Sequence, residues 1–138
     1  MPRLLAARPE LARRYRAMRA YRGVSQARQY DLTERCNLRC PGCYFFAWEA
    51  NGSRPSTRTA SDWRAYFRQE REGGVLLAHL AGAEPALVPA VLEAAAQTFT
   101  ECIVYTNGIV PIDRALDVRV HVSLWGGREY HDQAKGAP

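Results

Sequence analysis

No apolar run in the 138 residues approaches the roughly 18 that a membrane helix needs, so a transmembrane segment is not expected. A signal peptide is not expected either, because Arg8, Glu10 and Arg13 interrupt any apolar core near the start. Acidic residues are scarce at the start: Met1 to Arg28 holds eight arginines against the single acid Glu10. An organelle presequence is acid-poor too, and Glu10 argues against it. The segment reads as a solvated, Arg-rich helix. No basic stripe interleaved with aromatics continues along the chain, so nucleic-acid binding is not favoured. Internal repeats and low-complexity stretches are also lacking. Cysteine is sparse, at four residues, but three of them fall within eight positions. That clustering points to metal rather than disulfides, and to a reducing location, the cytoplasm.

Enough apolar material remains for one core, with 47% hydrophobic and 24% charged residues and a net charge of +5. Leu11, Tyr15, Met18 and Tyr21 predict a helix over 8–22, stopped by Gly23. Gln29 to Thr33 reads as a strand running into the cysteines. Residues 51–58 form a turn-rich loop. A helix follows over Thr59 to Glu72, with Ser61 as its N-cap and Trp63, Tyr66 and Phe67 on one face. Val75 to Leu80 is an apolar strand. Glu84 to Phe99 is a helix with Leu87, Val91, Leu92 and Ala95 inward. Cys102 to Tyr105 and Val118 to Leu124 complete the strands.

Strands that alternate with helices imply βα units, an α/β fold and a parallel sheet. Ligands of such sheets bind beyond the carboxyl ends of the strands. The loops after these strands hold Cys36 to Cys43, Gly82 to Pro85, Thr106 to Gly108 and Trp125 to Gly127. The chemically suggestive residues therefore fall on one rim.

The first loop reads Cys36-Asn37-Leu38-Arg39-Cys40-Pro41-Gly42-Cys43. Three thiolates can ligate three irons of a [4Fe–4S] cube and leave the fourth iron open. Zinc is the alternative, since Cys40 and Cys43 have C-x₂-C spacing. Structural zinc needs four ligands, and no second C-x₂-C or H-x₃-H pair exists. Cys102 and His79 stand singly in strand runs and are expected in the core.

The spacing C-x₃-C-x₂-C, with Asp31-Leu32-Thr33-Glu34-Arg35 before it and Asn37-Leu38-Arg39 within it, resembles the signature of radical S-adenosylmethionine (SAM) enzymes. The resemblance implies that Cys36, Cys40 and Cys43 hold a [4Fe–4S] cluster. It also implies that SAM chelates the open iron through its amino and carboxylate groups. Reductive cleavage would then give methionine and a 5′-deoxyadenosyl radical, which abstracts hydrogen from the substrate.

Further motifs occur in the family's order over residues 28–136. Gly82-Ala83-Glu84-Pro85 resembles the Gly-Gly-Glu-Pro that contacts the SAM amino group. Thr106-Asn107-Gly108 resembles the end of the third strand. Ser123 in Val120-His121-Val122-Ser123-Leu124-Trp125-Gly126 would face the ribose or carboxylate of SAM. His131-Asp132 with Gly136 resembles the His-Asp…Gly that follows. Three departures stand out. Gly42 occupies a place that many members give to an aromatic contacting adenine, and Tyr44, Phe45 and Phe46 come after it. Ala83 replaces a glycine, at a cost if that position needs positive φ. Trp125 replaces a frequent Asp.

The expected fold is a partial (βα) barrel with parallel strands, a truncated radical SAM-type core of about four strands. Residues 1–27 are expected as a helical segment and 28–138 as the partial domain. Family members build more strands than this. The chain is therefore expected to be a piece of a longer protein, ahead of one half of a split enzyme or a compact form without turnover. The resemblance implies an enzyme that takes electrons from a flavodoxin or ferredoxin and acts on a small molecule or peptide, with catalytic residues that are not readable. The alternative is a non-catalytic iron–sulfur or zinc module.

Overall fold

Val75-Leu76-Leu77-Ala78-His79-Leu80-Ala81 is largely apolar and bounded by glycines. In the computed structural model it forms β2 (Val75–Ala81), a central strand of the sheet. The structure describes residues 9–10, 12–13, 26–49 and 58–136. Beside β2 lie β1 (Gln26–Asp31) and β3 (Glu101–Thr106), and β4 (Arg119–Val122) pairs with β3. The order is β1-β2-β3-β4 and every neighbouring pair is parallel. The architecture is thus α/β, with an open four-stranded parallel sheet.

Helices α1 (Tyr44–Glu49) and α2 (Ala60–Glu72) connect β1 to β2. A 3₁₀ turn (Pro85–Leu87) and α3 (Pro89–Ala96) connect β2 to β3, and α4 (Arg128–Lys135) follows β4. The β3–β4 connection, residues 107–118, contains no helix. A dozen residues is about the minimum for a parallel crossover.

Several expected boundaries move. The N-cap of α2 is Thr59, not Ser61. Thr59 is extended (φ −76°, ψ 168°), and its Oγ1 accepts the Asp62 N–H while the Asp62 carboxylate accepts the Thr59 N–H. This reciprocal box leaves Ser61 inside the first turn. Those hydrogen bonds hold the Asp62 carboxyl below its usual range. The single helix expected over Glu84 to Phe99 is broken into the 3₁₀ turn and α3. Pro89 disfavours helical geometry at the residue before it, and Val88 sits at φ −128°, ψ 61°. β1 starts and ends earlier than expected, and β4 is shorter, at four residues. Both are edge strands, where exposed polar residues hide the apolar pattern. Of the helix expected over 8–22, residues 9–10 and 12–13 are helical; the remainder lies outside the described residues, as do residues 51–57 of the expected loop.

Helices cover one face of the sheet. Register places Tyr30, Leu80, Val104 and Val120 in one row, and side chains two residues apart share a face. Tyr30, Ala78, Leu80, Cys102 and Val104 from that face are buried against Trp63 and Phe67 of α2, Leu92 of α3, and Phe99. Phe67 stands at the centre, with ring centroids 5.3 Å from Tyr30, 5.3 Å from Phe99 and 5.2 Å from Trp63. The Tyr30 hydroxyl donates to Glu70 at 2.9 Å, and Arg28 pairs with the same carboxylate. Burial raises the Tyr30 pKa above its ordinary value. No described helix is long and apolar enough to cross a membrane.

Candidate functional site

The cysteine loop begins just past β1. Its last four residues form a turn in which the Cys43 N–H donates to the Cys40 carbonyl at 3.1 Å. Pro41 and Gly42 occupy the central positions, and Gly42 has φ +74°. This is a type II arrangement, which needs positive φ at its third residue, so a glycine belongs at 42 for backbone reasons. α1 follows at once and brings Phe46 over to Arg39, whose guanidinium lies 3.9 Å from the ring centroid.

The next loop is stitched to the first. The Ala83 N–H donates to the Thr33 carbonyl at 2.8 Å, and the Glu84 N–H donates to the Arg35 carbonyl at 3.0 Å. Gly82 has φ +135°, and a Cβ there would lie 2.8 Å from the Thr33 carbonyl oxygen. Only glycine fits that approach. Among the described residues no non-glycine residue has positive φ, so Ala83 carries no backbone strain from replacing a glycine.

Glu84 is 1% exposed, and its carboxylate works as a strap. Oε1 accepts from the Ala86 N–H at 3.0 Å and from the Thr106 hydroxyl at 2.7 Å, while Oε2 accepts from the Asn107 N–H at 2.8 Å. These charge-assisted bonds fix the end of β3 to the end of β2. Asn107 carries the connection onward. Its side-chain amide donates to Asn37 Oδ1 at 2.8 Å and approaches Cys36 Sγ at 3.7 Å.

These loops enclose one cavity of about 310 Å³. Cys36, Cys40 and Cys43 line it, together with Gly82, Ala83 and Glu84, then Thr106 and Asn107, then Ser123. Pro85 is the one expected ligand-site residue that does not; it is buried at the start of the 3₁₀ turn. Tyr44, Phe45 and Phe46 line the cavity, and so does Trp125, at the departure from the family pattern. Sequence reasoning missed three residues that line it, Ala81, Tyr105 and Lys135. Tyr105 ends the strand expected over Cys102 to Tyr105, and alternation along that strand turns it away from Cys102. Lys135 gave no local signal.

All three loop cysteines are free and half-buried. Burial pushes the pKa of Cys36 up, with Glu84 and Cys40 adding to it, while hydrogen bonds from the Leu38 N–H and the Asn107 amide pull it down. The Leu38 N–H lies 3.3 Å from Cys36 Sγ. Among the described residues, no three His, Cys, Asp or Glu side chains converge closely enough to hold a metal ion. A single zinc would gather its thiolates around one point at Zn–S distances of about 2.3 Å. A cube takes one thiolate on each of three irons and lets them stand apart around a shared space. Cys36, Cys40 and Cys43 are three free thiols on one cavity wall.

Neither candidate for a fourth zinc ligand lines the cavity. Cys102 is 2% exposed in the core, where burial pushes its thiol up to about 11. His79 was expected in the core as well; it is instead half-buried on the uncovered sheet face, because it alternates with Ala78 and Leu80. Its Nδ1 is hydrogen-bonded to the Tyr105 hydroxyl at 2.8 Å. His121 shares that open face, its ring edge-on to Tyr105 at 5.3 Å. His131 lies in α4 and accepts the Trp125 N–H at 3.2 Å. No protein-family model matches the chain, and no curated protein matches it.

Proposed function

We propose that this chain is the cluster- and SAM-binding part of a radical SAM enzyme, built as a partial βα barrel. The observation that carries the reading is the shared cavity: three thiols face the loops that follow β2, β3 and β4. Cys36, Cys40 and Cys43 hold a [4Fe–4S] cluster, and the remaining polar lining receives SAM. When bound, the cluster supplies the electron that cleaves SAM to methionine and a 5′-deoxyadenosyl radical.

The chain's own residues bind and shape. Gly82 brings the β2 loop hard against the segment that follows β1, and the Ala83 and Glu84 amides lock it there. Glu84 spends its hydrogen bonds on Ala86, Thr106 and Asn107, so it works mainly as a brace for the SAM-facing loops. Asn107 holds Cys36 from the far side. Ser123 offers a hydroxyl to ribose or carboxylate. Phe45 and Phe46, half-buried after Cys43, exclude water and offer a face to adenine. An electron donor of the flavodoxin or ferredoxin type and an unidentified small molecule or peptide complete the reaction.

A metal-binding module without turnover is the second reading. It is favoured by Glu84, whose carboxylate is already engaged within the protein. Anaerobic reconstitution separates the two. The proposal expects about four irons per chain and release of 5′-deoxyadenosine from SAM under reductant. Iron uptake without SAM cleavage would leave the module reading; stoichiometric zinc and no cleavage would sink the cluster assignment as well.

A further inference from the structure

A second cavity lies away from the cysteines, where α2 and α3 pack side by side. It is a groove of about 370 Å³, lined by Arg64, Arg68, Arg71 and Glu72 of α2 and by Gln97 and Thr98 just past α3. Both helices end at it, ahead of β2 and β3, so the groove sits toward the amino ends of the strands. The cysteine rim sits at their carboxyl ends. β2 has seven residues and spans about 20 Å, which separates the two sites.

At about 100° per residue, positions 64, 68 and 71 fall within about 60° of one helix face and span about 10 Å along the axis. Like charges three and four residues apart disfavour a helix. Among the described residues the ion pairs join Arg28 to Glu70, Arg119 to Glu101 and Arg128 to Asp132, and none of the three groove arginines holds a carboxylate. Glu72 stands four residues after Arg68 in the same groove, yet no ion pair joins them. The negative C-terminal end of α2 accounts for Arg71 in the last turn, whereas Arg64 and Arg68 lie before that turn. Across the groove the Thr98 hydroxyl donates to the Ala94 carbonyl at 2.7 Å, and the Gln97 amide donates to Glu93 at 3.1 Å. That wall is held by the helix before it, and the guanidinium groups are left to supply the donors.

We infer that this groove binds a phosphate group, free or at the end of a phosphate ester. Three guanidinium groups stand against one carboxylate, a surplus of two positive charges. A phosphate monoester carries about −1.5 to −2 charges at neutral pH and presents three acceptor oxygens. Guanidinium forks bind such oxyanions through paired, charge-assisted hydrogen bonds. A lone carboxylate has two oxygens and one charge, so it satisfies one fork and leaves the surplus. The site does not depend on the function proposed above.

The test titrates the full-length, ¹⁵N-labelled chain at constant ionic strength with inorganic phosphate, phenyl phosphate and acetate. Phosphate is expected to shift the α2 signals saturably, the arginine Nε–Hε signals among them, and acetate is not. Arg68→Gln is expected to weaken phosphate binding by about 5- to 10-fold. Arg128→Gln removes the same charge from α4 and leaves binding unchanged. Saturation by inorganic phosphate assigns the groove to the free ion; saturation by phenyl phosphate alone assigns it to an ester. The inference is overturned if neither phosphate gives a saturable shift in α2, or if acetate binds as tightly. It is overturned equally by a loss in Arg68→Gln no larger than that in Arg128→Gln. The wild-type comparison with acetate stands even where a variant fails to fold.

Discussion

β3 divides its side chains between two unlike surroundings. Cys102, Val104 and Thr106 point to the helix-covered face and are all buried. Tyr105 points the other way, is 36% exposed, and stands between His79 and His121. The covered face is apolar and closely packed under α2 and α3. The open face carries Gln29, His79, Tyr105 and His121, polar groups that meet across strands. Most of the burial therefore lies on one side of the sheet, Ile103 being buried on the other, and chemistry has more room to vary on the open side and at the carboxyl-end rim. The two kinds of cysteine follow the same division: Cys102 is a core residue, whereas Cys36, Cys40 and Cys43 face a cavity.

The largest effect is expected where the covered face is densest. Phe67→Ala removes a ring in contact with Tyr30, Trp63 and Phe99 and leaves a void that none of them can fill without moving. A loss of about 3–5 kcal/mol is expected in denaturant unfolding. A loss below about 1 kcal/mol would mean that the covered face is not the stabilising one.

A smaller effect is expected at the rim, where the comparison can be broken. Glu84 is polar yet buried, so it belongs to both sides of the division. Glu84→Gln keeps the shape but turns one acceptor oxygen into an NH₂ group. That group meets either the Asn107 N–H or the donors of Ala86 and Thr106. At least one buried donor is left unpaired, and about 1–3 kcal/mol is expected to be lost. An unchanged unfolding midpoint would show that the strap between β2 and β3 is not structural, which would return Glu84 to direct ligand contact.

What could be read in the sequence follows this same division. β2 and β3 are apolar runs because they are central, and α2 shows its period because one side of it is buried. The sequence therefore announces them. β1 and β4 are edge strands whose exposed residues carry no burial pattern, so their limits were misplaced. The break before α3 follows from Pro89, although the apolar period runs past it. Of the candidate site, the cysteine spacing and the Gly82 loop are local and were legible. The Glu84–Thr106–Asn107 bonds join residues 22 and 23 positions apart, and only the folded sheet brings them together. Lys135 is less legible still, since nothing in Gln133-Ala134-Lys135-Gly136 says that α4 turns its end toward the cysteines.

The smallest effect is expected on the open face itself. Tyr105→Phe removes the hydroxyl bonded to His79 Nδ1. Both partners reach solvent, so water replaces the lost bond and no buried group is orphaned. A change of at most about 0.5 kcal/mol is expected in denaturant unfolding. The ring remains, and with it the edge-to-face contact with His121. Thr106, one residue away, gives the internal control. Thr106→Val also deletes one hydroxyl, but it strips a buried carboxylate of a hydrogen bond and is expected to cost clearly more. If the two substitutions destabilised the protein equally, the open face would be as structural as the covered one. Tyr105, His79 and His121 would then be framework rather than surface available to a ligand.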